Sequence, residues 1–368
     1  MKRLIWWCRR DLRLADNTAL NAALNDADEV IPVYVLDDKL LSLPRVQGPR
    51  IAWMLDGLRI LDSDLRRHGA SLVLRRGDPV VELIAVCRES DASRVYFNRD
   101  YGPYATERDQ AVMVALQSQG FEVQSFKDLV IHELPEVVTG QGTTYGVFTP
   151  YRTAWNKLPK PEVIDNPHLL KRLHVPSTLY SIPFPNAADL NSIPVQVPIA
   201  TPSESAAAQR LEQFVAEPIY SYADQRNVLA TDGTAILSPY LRWGMISPRT
   251  CYWAAQRSAR AVTELEQQRS VDSWISELTW REFSYQNLAN NPRSVRHNFR
   301  PIYDKLMWDN NLDWLAAWRE GRTGYPVVDA AMRQMRLTGW MHNRARLIAA
   351  SFLCKDLLID WRLERVMH

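Results

Sequence analysis

The stretch Trp7-Cys8-Arg9-Arg10-Asp11-Leu12-Arg13-Leu14-Ala15-Asp16-Asn17-Thr18-Ala19-Leu20 decides the fold class of the first third of this chain. It closes an apolar run over 4–7, crosses a charged turn, and opens an amphipathic segment over 17–24 with Asp16 placed to cap it. An apolar run too short for a helix, followed directly by helical spacing, reads as a buried strand feeding a helix. The same unit recurs. Apolar runs over 30–36, 71–74, 95–98 and 123–126 read as strands, and segments over 50–67, 79–88 and 106–119 read as helices. Asp78-Pro79 supplies a cap and a proline at the first helical position for the helix over 79–88. Strand–helix alternation of this kind gives an α/β domain with a doubly wound parallel sheet, assigned to residues 1–130. No GxGxxG follows any of the strands, which argues against a nicotinamide-type site.

Beyond this domain the pattern changes. Nine of the 22 prolines fall between Pro159 and Pro202, where they block both helix and central strand. Residues 131–203 are therefore read as an inter-domain linker, proline-rich from 159. From 204 to 368 the chain reads as an all-α domain, with helices over 205–216, 247–258, 262–289, 312–320 and 327–355. The net charge of +2 gives no overall field that would draw in nucleic acid, so a DNA site must be a local patch. The four cysteines are scattered, with neither a disulfide framework nor a metal spacing, and no metal is expected. Arg9, Arg10 and Asp11 interrupt the first apolar run before a signal peptide could form. With no run long enough to span a bilayer, the chain reads as a cytoplasmic protein without a membrane partner, and as a monomer by default.

Nine of the 13 tryptophans lie from Trp243 onward. Indoles at this density either fill a helical core or offer stacking faces to aromatic ligands, and composition leaves both open. Trp274, Glu277 and Arg281 fall at i, i+3 and i+7, with Trp280 beside them. Glu277 either pairs with Arg281 at i,i+4 or, if buried among indoles, needs a donor such as a pyrimidine edge.

Three stretches resemble the DNA photolyase/cryptochrome family. The opening Trp7–Leu20 stretch looks like WFRxDLRLxDNxAL, with Cys8 in place of the aromatic. Gly233-Thr234-Ala235-Ile236-Leu237-Ser238-Pro239-Tyr240-Leu241 resembles GTSxLSPYL, with Ala235 in place of serine. The most specific match begins Gly324-Tyr325-Pro326-Val327-Val328-Asp329-Ala330-Ala331-Met332-Arg333-Gln334. It continues through Thr338-Gly339-Trp340-Met341-His342-Asn343-Arg344 to Asp360-Trp361. Val147-Phe148-Thr149-Pro150 and Trp280-Arg281-Glu282-Phe283 are lesser matches in the expected order. The likeness, closest to class I cyclobutane-dimer photolyases, runs from residue 4 to residue 361.

The resemblance implies a carbon–carbon lyase that uses FAD and light to repair pyrimidine dimers flipped out of UV-damaged DNA. FAD would be bound by Tyr222, Thr234, Ala235, Ile236, Leu237, Ser238, Trp274, Arg281, Trp340 and Arg346. Ser238 would cap a helix starting at Pro239 and seat the diphosphate. Glu277, Trp280, Arg281 and Asn343 would meet the dimer, and Arg226 and Arg344 the DNA phosphates. Trp308 and Trp361 would be outer members of an electron-transfer chain. Asn343 stands where photolyases for 6-4 photoproducts typically carry a second histidine, which favours the cyclobutane lesion. A second antenna chromophore, folate or deazaflavin, is left open, because Ala105 occupies the position of the folate-binding glutamate. The family continues past the position of His368 into a DGDLAxNNGGWQW segment carrying a partner for the arginine matched by Arg346. The resemblance therefore implies a C-terminally incomplete FAD domain with weakened flavin binding, Arg346 losing its partner at a cost of several kcal/mol if buried. Two rivals follow from it, a cryptochrome-type blue-light receptor and a truncated non-catalytic remnant.

Overall fold

In the computed structural model of the chain, residues 1–42, 49–190, 192, 197 and 200–366 are described. Five strands form one parallel sheet: β1 (Arg3–Cys8), β2 (Glu29–Asp37), β3 (Val73–Gly77), β4 (Arg94–Asn98) and β5 (Glu122–Phe126), in the order β3-β2-β1-β4-β5. Helices α1 (Thr18–Asp26), the short α2 (Asp38–Leu41), α3 (Pro49–Arg67), α4 (Pro79–Ser90) and α5 (Pro103–Ser118) make the connections. The two faces of the sheet bury alternate residues. Leu4, Trp6, Cys8, Val30, Tyr34 and Tyr96 belong to one core, with α1 and α3. Ile5, Trp7, Ile31, Val33, Val95 and Phe97 belong to the other, with α4 and α5. Burial on both faces explains why the central strands read as unbroken apolar runs.

The chain then crosses through α6 (Phe148–Lys157) and a proline-rich segment that packs back on the sheet, His174 N donating to Val30 O and Ile182 N to Leu74 O. The helical part begins with α7 (Glu204–Ala216), α8 (Tyr222–Gln225), α9 (Ser238–Trp243), α10 (Pro248–Ala261) and the long α11 (Leu265–Asn290). Leu211, Phe214, Tyr222, Tyr240, Trp274 and Phe283 extend the first sheet core into these helices. Helices α12 (Leu312–Glu320), α13 (Pro326–Thr338), α14 (Asn343–Ser351) and α15 (Trp361–Val366) follow, and Leu315, Trp318, Met332, Ala345, Phe352 and Ile359 make a separate core for them.

Three local expectations are corrected. Asn17, not Asp16, caps α1, its side chain accepting from Leu20 N. Asp16 sits at φ +48°, and its carboxylate accepts from Ser247, Thr250 and Arg249 of the helical part. The single helix expected over 327–355 is two, because Gly339 turns left-handed (φ +70°) after α13 and His342 Nδ1 caps α14 by accepting from Arg344 N. Ser238 is the first residue of α9 rather than its cap; Leu237 holds the cap position without a side-chain bond.

Gly244 ends α9 at φ +64°, and a Cβ there would lie 1.9 Å from Arg10 O. The opening charged turn and the helical part touch backbone to backbone, Leu12 N donating to Trp243 O at 3.0 Å. Gly244→Ala combines left-handed strain with this clash, so a loss of roughly 2–3 kcal/mol is expected in a denaturant titration. A loss below about 0.5 kcal/mol would mean that the contact yields freely.

Candidate functional site

One face of α11 carries Arg269, Asp272, Ser273, Ser276, Glu277 and Trp280, the spacing of a helical stripe. With Phe148 and Arg152 of α6 and Arg226 beyond α8, these residues line a cavity of about 440 Å³. That volume lies within the range of small-molecule sites. Trp280 is 43% exposed and stacks on Phe148, ring centroids 3.6 Å apart and planes 9° from parallel. Glu277 pairs with Arg226 at 2.7 Å, and the same guanidinium donates to Ser273 Oγ at 3.1 Å. The i,i+4 partner considered from sequence, Arg281, is not the one used. Its Nη1 donates to Leu129 O (2.6 Å) and Nη2 to Leu241 O (3.4 Å), so it braces α11 against the first domain and does not line this cavity.

Behind the stripe, Trp274 is buried against Phe214, which in turn meets the Tyr222 ring. Burial, with the Glu277 charge adding to it, pushes the Tyr222 hydroxyl up to about 12. Ser270 ties α11 to α8, accepting from Ala223 N and donating to Ile219 O. The 233–238 segment lies against the same helix, since a Cβ on Gly233 would stand 2.8 Å from Gln225 O. Its turn holds Ile236 at φ +47°, and Ala235 O accepts from Arg210 Nε at 3.0 Å. Ala235 and Leu237 are buried, Thr234 and Ile236 half-buried, and Ser238 exposed.

The remaining candidates lie on or beside the helices that form the second core. Trp340 is half-buried, edge-on to His342, while Asn343, Arg344 and Arg346 are exposed on α14. Arg344 Nη2 donates to Asn227 Oδ1 at 2.5 Å, which joins α14 to the residue after Arg226. Arg346 is exposed, so the cost expected of a buried, unpaired arginine does not arise. Asn343 is not among the residues lining the Glu277 cavity. Trp361 donates its indole N–H to Asn298 Oδ1 at 3.0 Å. Trp308 lies next to a clamp in which Asp309 N donates to Leu358 O and Asp360 N to Asn310 Oδ1, so both indoles flank one junction.

These features suit FAD on two counts. The core holding Trp274 and Tyr222 and the core holding Met332 and Ala345 are separate. Among the described residues, the buried His342 Nε2 has no partner, and Asn343 and Arg346 are exposed. Amide, imidazole, guanidinium and hydroxyl groups of this kind are the types that bond a flavin ring or a diphosphate.

The chain matches the family profile described as DNA photolyase over residues 4–168, and the FAD binding domain of DNA photolyase over residues 274–367. It is 35% identical to a deoxyribodipyrimidine photo-lyase of Synechococcus sp., over 98% of this chain and 75% of that protein. This chain belongs to the DNA photolyase family. A photo-lyase of Halobacterium salinarum is 37% identical over 97% of this chain and 76% of its own length. The solved class III photolyase of Agrobacterium tumefaciens superimposes with a TM-score of 0.90 at 33% identity, covering all of this chain and 76% of that one. The photolyase-family fold therefore extends over both parts described above, and the helical part carries the family's FAD-binding domain. Among the described residues no helix is long and apolar enough to cross a membrane.

Sequence reading had not singled out Phe148, Arg152 or Arg269 as site residues. Phe148 stood only in a lesser motif, and its meeting with Trp280 joins two matches 132 positions apart. Arg152 and Arg269 gave a signal only as cations on helix faces, which surface arginines share.

Proposed function

We propose that the chain repairs cyclobutane pyrimidine dimers in UV-damaged DNA, using light and a reduced FAD held between its two helical cores. The observation that carries this reading is the meeting of Trp280, Glu277 and Arg226 at one solvent-facing cavity. When bound, reduced FAD supplies the photochemistry: an electron lent to the dimer under blue or near-UV light opens the cyclobutane ring and then returns. The protein's part is binding, orientation and polarisation.

Trp280 offers an indole face for stacking to a dimer flipped out of the duplex, an extrusion that is cheapest for a damaged pair. Glu277 accepts from the pyrimidine edge, and Asn343 offers both a donor and an acceptor. Arg226 and Arg344 take phosphate oxygens, the positioning half of recognition. Tyr222, residues 234–238, Trp274, Trp340 and Arg346 hold the flavin. Trp308 and Trp361 relay an electron from the surface. We read the protein as a cytoplasmic monomer. A second chromophore is part of the same reading, with folate disfavoured because the buried Ala105 of α5 has no polar group to bind a pterin.

The test is a visible spectrum of the purified protein followed by blue-light repair of an oligonucleotide containing one dimer. Flavin absorbance and light-dependent loss of the dimer are expected. A colourless protein would support the non-catalytic remnant, and flavin without repair the cryptochrome-type receptor.

A further inference from the structure

We propose that Phe148 is a positioning residue for the lesion, backing one face of Trp280 so that a single indole face is presented to the dimer. This deepens the reading above and rests on Trp280 being the stacking platform. An indole 43% exposed on a helix surface would ordinarily sample several rotamers. Here one face is covered by a parallel ring at 3.6 Å. Rings left to themselves prefer offset or edge-on contact to direct face-to-face stacking, so neighbours must hold this pair in place. Phe283 is edge-on to both, 5.7 Å from Phe148 and 5.7 Å from Trp280.

The seat of Phe148 is fixed from further along its own helix. Tyr151 and Trp155 are the buried residues of α6, three and seven positions on, the same helical face. Trp155 Nε1 donates to Glu282 Oε2 at 2.6 Å. The Glu282 carboxylate also accepts from Ile131 N and His132 N, so this anchor is buried and fully engaged. Glu282 is two residues beyond Trp280 on α11. The anchor that docks α6 on α11 therefore also sets the ring of Phe148 against the indole.

Ordering a rotamer-rich side chain on binding costs about 0.5–1.5 kcal/mol, and prior ordering removes that cost. Loss of Phe148 should accordingly weaken binding of dimer-containing DNA by roughly 2- to 12-fold. Binding of undamaged DNA, which depends on phosphate contacts, should not change.

Flavin-loaded wild type, Phe148→Ala, Phe148→Tyr, Trp280→Ala and the Phe148→Ala/Trp280→Ala double variant are compared, with and without one dimer in the same oligonucleotide. The expected pattern is a selective affinity loss in Phe148→Ala, recovery in Phe148→Tyr, and no added loss in the double variant over Trp280→Ala. Wild-type affinity in Phe148→Ala alongside a loss in Trp280→Ala overturns the proposal, as does an equal Phe148→Ala cost in both backgrounds. Wild-type affinity in Trp280→Ala overturns instead the platform role on which the proposal rests.

Discussion

Asp128→Ala should cost about 3–5 kcal/mol of folding free energy in a urea titration, the range for removing one partner from a buried ion network. Asp128 is 2% exposed and lies between the sheet and the helices. Its carboxylate accepts from Arg13 Nη2 at 2.7 Å, Arg249 Nη2 at 2.8 Å and Thr18 Oγ1 at 2.9 Å. Arg13 and Arg249 are themselves buried, so alanine would leave two guanidiniums sharing the charge of Asp16. Arg13 also donates to Gly244 O, which links this network to the close contact under α9. A loss below about 1 kcal/mol would show that water enters and solvates the arginines.

The same carboxylate gives a pH signature. Burial alone would raise its pKa, but the charges of Arg13 and Arg249 and their hydrogen bonds outweigh burial and hold it at about 2. The folded value lies below that of an unfolded aspartate, so the unfolded chain takes up a proton first as pH falls. The stabilisation, ~2 kcal/mol on this ground, is complete above about pH 4 and drains away as pH drops towards 2. Asp128→Asn should flatten that part of an acid denaturation curve.

Asp128 also marks the limit of what the sequence made legible. The central strands were readable because burial on both faces writes itself as apolar runs; each expected run overlaps an observed strand, the edge strand β5 doing so without a buried residue. The cap of α1 was misread by one residue because Asp16 and Asn17 are both good caps in isolation. Long-range bonds to Ser247, Thr250 and Arg249 claim Asp16, and no local pattern encodes them. The break after α13 was visible as Thr338-Gly339, but helical spacing on either side hid it. At the site, helix periodicity put Glu277 and Trp280 on one face, whereas the choice of Arg226 over Arg281 as partner depended on tertiary placement 51 residues away in sequence. Phe148 was unreadable for the same reason, since a stack between two helices leaves no periodic trace in either.

Trp280→Ala carries the second large effect and separates lesion recognition from attraction to DNA. Base–aromatic stacking contributes about 1–3 kcal/mol, so affinity for dimer-containing DNA should fall by roughly 5- to 150-fold. The slope of affinity against salt should stay as in the wild type, because an indole neutralises no phosphate. Arg344→Ala gives the opposite signature. Arg344 is exposed on α14, tied at 2.5 Å to the uncharged Asn227, and no carboxylate would be stranded by its removal. Its loss should weaken damaged and undamaged DNA alike and reduce the salt slope by about one. Binding isotherms at several salt concentrations with both DNAs read the two effects independently. An equal loss on both DNAs in Trp280→Ala would make the indole a general contact, and damage recognition would then have to reside elsewhere in the cavity, with Glu277 the first side chain to test.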